Sequence, residues 1–137
     1  MNKHTYLRAY MAGIVTPTIF FLVIATVFYM WRYVYDVPVP VERILIFPMA
    51  VVPNLWGLWN VLFVASHERT HLPIGIHGAL LPLVLAPLGI VLAHALNFPA
   101  VPFIPRIFPI AAPIALIAYY LVWKYLVSFL NGVLAIA

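Results

Sequence analysis

Four long apolar stretches occupy almost the whole of this 137-residue chain. They extend from Ala9 to Trp31, Ile44 to Ser66, Leu72 to Leu96 and Ile107 to Leu130. Each is close to the roughly 20 apolar residues that a helix needs to cross a hydrocarbon core about 30 Å thick. Because only helices and closed barrels satisfy their backbone polar groups in lipid, the stretches predict four transmembrane helices. The expected fold is an all-α integral membrane protein with one transmembrane domain, residues 1–137.

Composition excludes several classes of protein. With 66% hydrophobic and 7% charged residues, the chain cannot build a core inside a water-facing shell. The first stretch is of full span length and ends in aromatic residues and Arg32, so we interpret it as a retained helix and not as a signal peptide. The chain has no cysteine, which excludes disulfides and thiolate metal sites. Its seven basic residues are scattered, so nucleic acid is not an expected partner.

An even number of crossings predicts that both termini lie on the same side of the membrane. The basic residues that normally fix orientation nearly balance: Lys3, Arg8 and Arg69 on the terminal face against Arg32, Arg43 and Arg106 on the opposite one. Lys124 can extend its side chain toward the terminal face and thereby favours the cytoplasm for both termini. We expect the protein in the cytoplasmic (plasma) membrane.

The sequence also contains an approximate internal repeat. A proline-rich loop leads into an even-numbered helix twice, and the recurring positions are Pro38, Pro40, Arg43, Ile44, Phe47, Pro48, Ala50 and Pro53, then Pro99, Pro102, Arg106, Ile107, Phe108, Pro109, Ala111 and Pro113. This predicts two tandem helical hairpins, residues 1–66 and 67–137, related by an axis along the membrane normal. The alternative is a chance alignment in a composition rich in proline and apolar residues.

Thirteen prolines are unusual for a chain of this length. Within a span, proline removes an amide donor and frees a carbonyl one turn earlier, which in lipid needs another partner. Pro53, Pro82 and Pro87 are predicted to kink their helices. Such kinks occur in transport pathways, although they also serve only to shape helix packing.

The segment from His67 to His71 reads HERTH, an HExxH pattern. On a helix, this spacing places two imidazoles on one face as metal ligands, beside a carboxylate, Glu68, that could act as general base. With His77 as a third ligand, the segment resembles the zinc-protease motif HExxHxxGxxH. The motif's glycine is displaced by one position, to Gly75. The resemblance implies a bound zinc or another divalent transition metal and a membrane hydrolase.

The same residues have simpler interpretations. A short turn between two spans concentrates polar residues, so a motif match arises easily there, and histidine and arginine favour helix C-termini. His67, His71 and His77 could also form a reversible metal or proton site without catalysis.

The spans contain few polar residues, and ionisable residues within a membrane are candidates for function. We single out Asn54, Asn60, His94 and Lys124 as polar residues of the spans that could line a pathway. The asparagines could line a groove or bind helices together, and the second role is favoured.

These observations favour a small polytopic membrane protein without a catalytic domain. It would act as a channel, a transporter or an accessory subunit, surrounded by the lipid bilayer. Small residues four apart, such as Ala9 with Gly13 and Gly89 with Ala93, predict close helix contacts and favour homo-oligomers. The alternatives are the metal-dependent hydrolase or metal and proton sensor, and a structural partner subunit of a larger membrane complex.

Overall fold

The computed structural model describes residues 4–44, 49–97 and 104–136, and these ranges are helical with short connections. The elements are α1 (Thr5–Val34), α2 (Val41–Ile44), a π-helical turn at 49–51, α3 (Val52–Thr70), α4 (Ile74–Ala95), α5 (Ile104–Val122), a π-helical turn (Trp123–Val127) and α6 (Ser128–Val133). Four segments are long and apolar enough to cross a membrane: Thr5–Val34, Met49–Thr70, Ile74–Ala95 and Pro105–Val133. The all-α fold and the number of candidate spans are confirmed.

Helix ends follow from local chemistry. His71 closes α3 in the left-handed conformation, with φ of 51°, and its N–H donates to the carbonyl of His67 at 2.9 Å. The next residue precedes Pro73, and a residue before proline is disfavoured in the α conformation. Pro73 is then the N-cap of α4.

The prolines expected to kink helices differ in position. Pro53 lies in the first turn of α3, directly after the π-helical turn. Because the π-helical turn continues directly into α3, a kink at Pro53 stays a prediction. Pro82 and Pro87 lie inside α4, which continues as a helix through both.

Two close helix contacts depend on glycine. A side-chain carbon added at Gly13 of α1 would lie 2.8 Å from the Cα atom of Gly57 in α3. One added at Gly78 of α4 would collide with the ring of Trp123. These separations are too short for any larger residue, so glycine is required where α1 meets α3 and where α4 meets the second π-helical turn.

The start of α1 and the end of α6 lie at the same end of the bundle, where Asn131 of α6 bonds to Asn60 of α3, which bonds to Ala9 of α1. Which side of a membrane this end faces stays a prediction. So does the duplication of hairpins, because much of the repeat, namely Phe47, Pro48, Pro99 and Pro102, lies outside the described residues, as does Lys3.

Buried residues are distributed unequally along the bundle. In α1 none lies beyond Pro17, in α4 none lies beyond Leu85, and in the last span, from Pro105, none precedes Trp123. We call the part that contains the buried residues the closed half: 5–17, 52–70, 74–85 and 123–133. The rest of the three long helices, 18–34, 86–95 and 105–122, is the open half. A single buried residue, Val41 of α2, lies outside the closed half in the described chain.

Candidate functional site

Two asparagines form a polar contact in the centre of the closed half. The side-chain amide of Asn60 donates to the carbonyl of Ala9 at 2.8 Å and to Oδ1 of Asn131 at 2.7 Å. The amide of Asn131 donates back to Oδ1 of Asn60 at 3.1 Å. Both side chains are buried, at 0% and 3% exposure. We call Asn60, Asn131 and the Ala9 carbonyl the amide clasp. It joins α1, α3 and α6, and both buried side-chain amides are hydrogen-bonded.

A second reciprocal contact joins α3 to α4. The indole N–H of Trp59 donates to the backbone carbonyl of His77 at 2.8 Å, and Nε2 of His77 lies 3.1 Å from the backbone carbonyl of Trp59. Since a carbonyl only accepts, this Nε2 carries the proton. The imidazole also lies against the rings of Trp59 and Phe63, with centroids 5.1 and 5.3 Å away. The side chain of His77 is therefore buried in the contact between α3 and α4.

Large aromatic side chains fill the space between these contacts. Trp56 lies against Trp123 at 5.4 Å and against Tyr119 at 5.0 Å between ring centroids. Trp123 and Leu81 are fully buried beside them. The indole N–H of Trp123 is buried and has no hydrogen-bond partner among the described residues. The region around Trp56, Trp123 and Leu81 is therefore filled with side chains.

The HExxH segment does not adopt the arrangement expected from its spacing. His67 lies in the last turn of α3, whereas His71 has left the helix, so the two imidazoles do not share one helical face. His77 lies in the interior, while His67, Glu68 and His71 are exposed. No group of three histidine, cysteine, aspartate or glutamate side chains in the described ranges is placed to hold a metal ion. Metal binding by His67, His71 and His77 remains a prediction from the sequence.

The remaining candidate residues lie apart from one another. Asn54 is exposed, accepts a hydrogen bond from the Tyr10 hydroxyl and donates to the carbonyl of Ala50 in the preceding π-helical turn. Lys124 is exposed, with Nζ 5.2 Å from the centre of the Tyr125 ring. His94 is exposed in the last turn of α4. Of the four polar residues singled out for a pathway, Asn60 alone is buried in the bundle.

An apolar groove separates α4 from α5 in the open half and extends to the edge of the closed half. It has a volume of about 430 Å³ and is open along one side. Its lining residues are Pro82, Leu85, Ala86, Gly89, Ile90, Phe108, Ala115 and Tyr119. Small residues on both helices, namely Ala86, Gly89 and Ala115, form part of this lining.

In the last turn of α1, half-buried Arg32 forms an ion pair with exposed Glu42 of α2, with Nη1 and Oε1 2.6 Å apart. The pKa of the Glu42 carboxyl lies below its ordinary value because a backbone N–H donates to it and because Arg32 lies beside it. This pair holds the short helix α2 against the end of α1.

The sequence did not lead us to expect Asn131 as a partner of Asn60, or the Ala9 carbonyl as an acceptor in the same clasp. The fourth apolar stretch was expected to end at Leu130, three residues before the end of the helix at Val133, and so left Asn131 outside the span. An asparagine between apolar neighbours, as in Leu130–Asn131, was the signal available. No protein family matches the chain, and neither curated proteins nor solved structures give a match.

Proposed function

We propose that this chain is an accessory membrane subunit that assembles with copies of itself through the open half of its bundle. The proposal is supported above all by the position of the buried residues: in the described ranges all but Val41 lie in the closed half. There the polar groups of Asn60, Asn131 and His77 bond to each other or to backbone carbonyls. A bundle with a filled interior works through its outer surfaces.

The outer stripe of α5 supplies such a surface. Ile110, Ile114 and Ile117 are 69%, 62% and 61% exposed and follow one another at helical spacing. Apolar residues alone do not distinguish a partner from lipid, because lipid tails are as apolar as leucine. The absence of buried residues along the same stretch of three long helices is the stronger argument, since copies of the chain could complete the packing that the open half lacks.

The absence of cysteine allows a direct test. A single cysteine is introduced at Ile114, in the open half, and oxidised in native membranes. A disulfide between copies requires Cα atoms about 4.4–6.8 Å apart. We expect a covalent dimer with Ile114→Cys, detected by non-reducing electrophoresis and identified by mass spectrometry.

The matched control is Phe129→Cys, which is 64% exposed on the same span but lies in the closed half. It should give little dimer under the same oxidation. Equal cross-linking at both positions would indicate random collision, and no cross-linking at Ile110, Ile114 or Ile117 would contradict the proposed surface between copies. A disulfide-linked band containing a different protein would replace the homo-oligomer with a hetero-complex.

A channel or transporter is the second candidate, and it would need a path between copies because Trp56, Trp123 and Leu81 fill the centre of each closed half. Ion flux into liposomes separates the two functions. Flux from protein cross-linked through Ile114→Cys, absent from the uncross-linked protein, would favour the channel.

The metal-dependent hydrolase is tested independently by elemental analysis of the untagged protein. Stoichiometric zinc in the wild type that is lost in both His67→Ala and His71→Ala would support a metal site. Glu68→Gln should then retain the metal and lose hydrolysis.

A further inference from the structure

We propose that Lys124, flanked by Tyr120 and Tyr125, binds the headgroup phosphate of an anionic phospholipid. The three residues lie on the last span, where Lys124 and Tyr125 are exposed and Tyr120 is half-buried. Lys124 and Tyr125 belong to the closed half, whereas the proposed assembly uses the open half. The lipid site is therefore independent of the proposed function.

The ammonium of Lys124 lies close to two aromatic rings. Its Nζ is 5.6 Å from the centre of the Tyr120 ring and 5.2 Å from the centre of the Tyr125 ring. Cation–π contacts of this length attract the ammonium. The Tyr120 ring packs against α4, because a side-chain carbon added at Gly75 would lie 2.8 Å from it. The two rings therefore hold the charge beside the first turn of α4.

The acidic side chains of the chain do not balance this charge. They are Asp36, Glu42 and Glu68, and all three lie in the described ranges. There, Glu42 is paired with Arg32, and no ion pair joins Lys124 to any of the three. An ammonium within a span is costly unless it is paired or reaches water. An external anion would supply the compensating charge.

Lys124 lies at a depth that a headgroup can reach. Its Cβ lies 3.2 Å from the position of a carbon added at Gly75, the second residue of α4. Exposed residues of the connection between α3 and α4, namely His71 and Pro73, directly precede this turn. The hydrocarbon region therefore ends close to Lys124 on the α4 side. The long lysine side chain can extend its ammonium to that interface.

The surroundings of the ammonium favour a lipid over a soluble anion. Leu121, Leu126 and Phe129 are exposed on the same span, so apolar surface adjoins the charge. Acyl chains can cover this surface while the phosphate approaches Lys124, and the tyrosine hydroxyls can donate hydrogen bonds to phosphate oxygens. A zwitterionic headgroup would also bring a second cation to the lysine. The site therefore favours a headgroup with a net negative charge.

The test uses the full chain, delipidated in detergent and supplied with equal amounts of dioleoyl phosphatidylglycerol and dioleoyl phosphatidylcholine. Native mass spectrometry counts each lipid retained per protein. We expect phosphatidylglycerol to be retained in preference to phosphatidylcholine. Lys124→Gln should reduce this preference about fivefold, as expected for one basic residue near an anionic surface. Lys124→Arg, which keeps the charge, should preserve it.

The matched control is Arg106→Gln, which removes an exposed positive charge near the start of the same span. It should keep the wild-type preference, because Arg106 is far along the span from Tyr120 and Tyr125. Circular dichroism verifies that each variant is folded, and the exposure of Lys124 makes its replacement compatible with the fold. Equal retention of the two lipids by the wild type, or the same loss in Arg106→Gln as in Lys124→Gln, would overturn the proposal.

The same spectra identify other occupants of the site. Displacement of phosphatidylglycerol by excess inorganic phosphate would assign Lys124 to a soluble anion. A dimer that is lost in Lys124→Gln while the lipid preference stays unchanged would assign the lysine to a contact between copies. Either result would overturn the lipid site. Failure of the Ile114→Cys cross-link would leave it intact.

Discussion

The closed and open halves of the bundle have similar apolar compositions but pack differently. In the closed half, glycines bring backbones together, the amide clasp joins three helices, and Trp56 and Trp123 fill the centre. In the open half, small residues such as Ala86 and Gly89 line a groove between α4 and α5. A small residue therefore has two effects: it permits close approach where another backbone lies against it, and it lines a groove where neighbouring side chains leave space beside it.

Substitutions of glycine by alanine should give the largest difference in the free energy of unfolding between the two halves. Gly78→Ala places a methyl group against the ring of fully buried Trp123, and overpacking of this kind costs about 1–3 kcal/mol. Gly89→Ala adds the same group beside the open groove. It should be neutral or should stabilise α4 by up to about 1 kcal/mol through helix propensity.

Titration with sodium dodecyl sulfate from mixed micelles, monitored by helical circular dichroism, measures both free energies of unfolding. The comparison fails if Gly89→Ala is as destabilising as Gly78→Ala. In that case the open half would also contain a close helix contact.

Substitution in the amide clasp should give the next largest loss in the free energy of unfolding. Asn60→Leu leaves the side chain of Asn131 and the carbonyl of Ala9 without their partner, and we expect a loss of about 1–2 kcal/mol, the scale of interhelical hydrogen bonds in membranes. Thr26→Val, which removes an exposed hydroxyl bonded to the carbonyl of Leu22 in its own helix, should cost about 0.5 kcal/mol or less.

A double-mutant cycle isolates the clasp from the effect of burying leucine. Asn60→Leu and Asn131→Leu are measured singly and together by the same titration, and their coupling energy should be about 1 kcal/mol. Independent effects would mean that the two amides do not stabilise the bundle through each other.

The contrast between the halves explains what the sequence could predict. The four spans followed from hydropathy, and the expected bounds differ from Thr5–Val34, Met49–Thr70, Ile74–Ala95 and Pro105–Val133 by only a few residues. Burial could not be predicted in the same way. Residues that face lipid and residues that face the bundle are equally apolar, so the confinement of burial to one half leaves no signal in composition or hydropathy.

The candidate site shows the same limit. Asn60 was favoured as a residue that binds helices together, and the structure places it in such a contact. His77 was considered a metal ligand because of its spacing from His67 and His71, whereas its imidazole bonds to the carbonyl of Trp59. Spacing along the chain could not reveal that His71 leaves the helix, which depends on Pro73 and on the left-handed turn before it.

The smallest effect is expected at the far end of the open half, where Arg32 and Glu42 are paired. The folded pKa of Glu42 is lowered, first by a backbone N–H and then by Arg32, so the carboxylate contributes stability above its ordinary pKa. That contribution is lost as the pH falls through the lowered value. Because the pair is exposed, salt screens it and its contribution is small. Glu42→Gln should therefore differ little from the wild type at pH 7, and the difference should disappear in acid.

The denaturation midpoints of both proteins are measured between pH 7 and pH 3 at low and high salt. Groups shared by the two proteins cancel in the difference, which reports Glu42 alone. A loss at pH 7 as large as that of Gly78→Ala, persisting in high salt, would mean that α2 is an essential part of the core. The loop that contains α2 would then stabilise the open half. The closed half would have to be defined again to include Val41, the buried residue of α2.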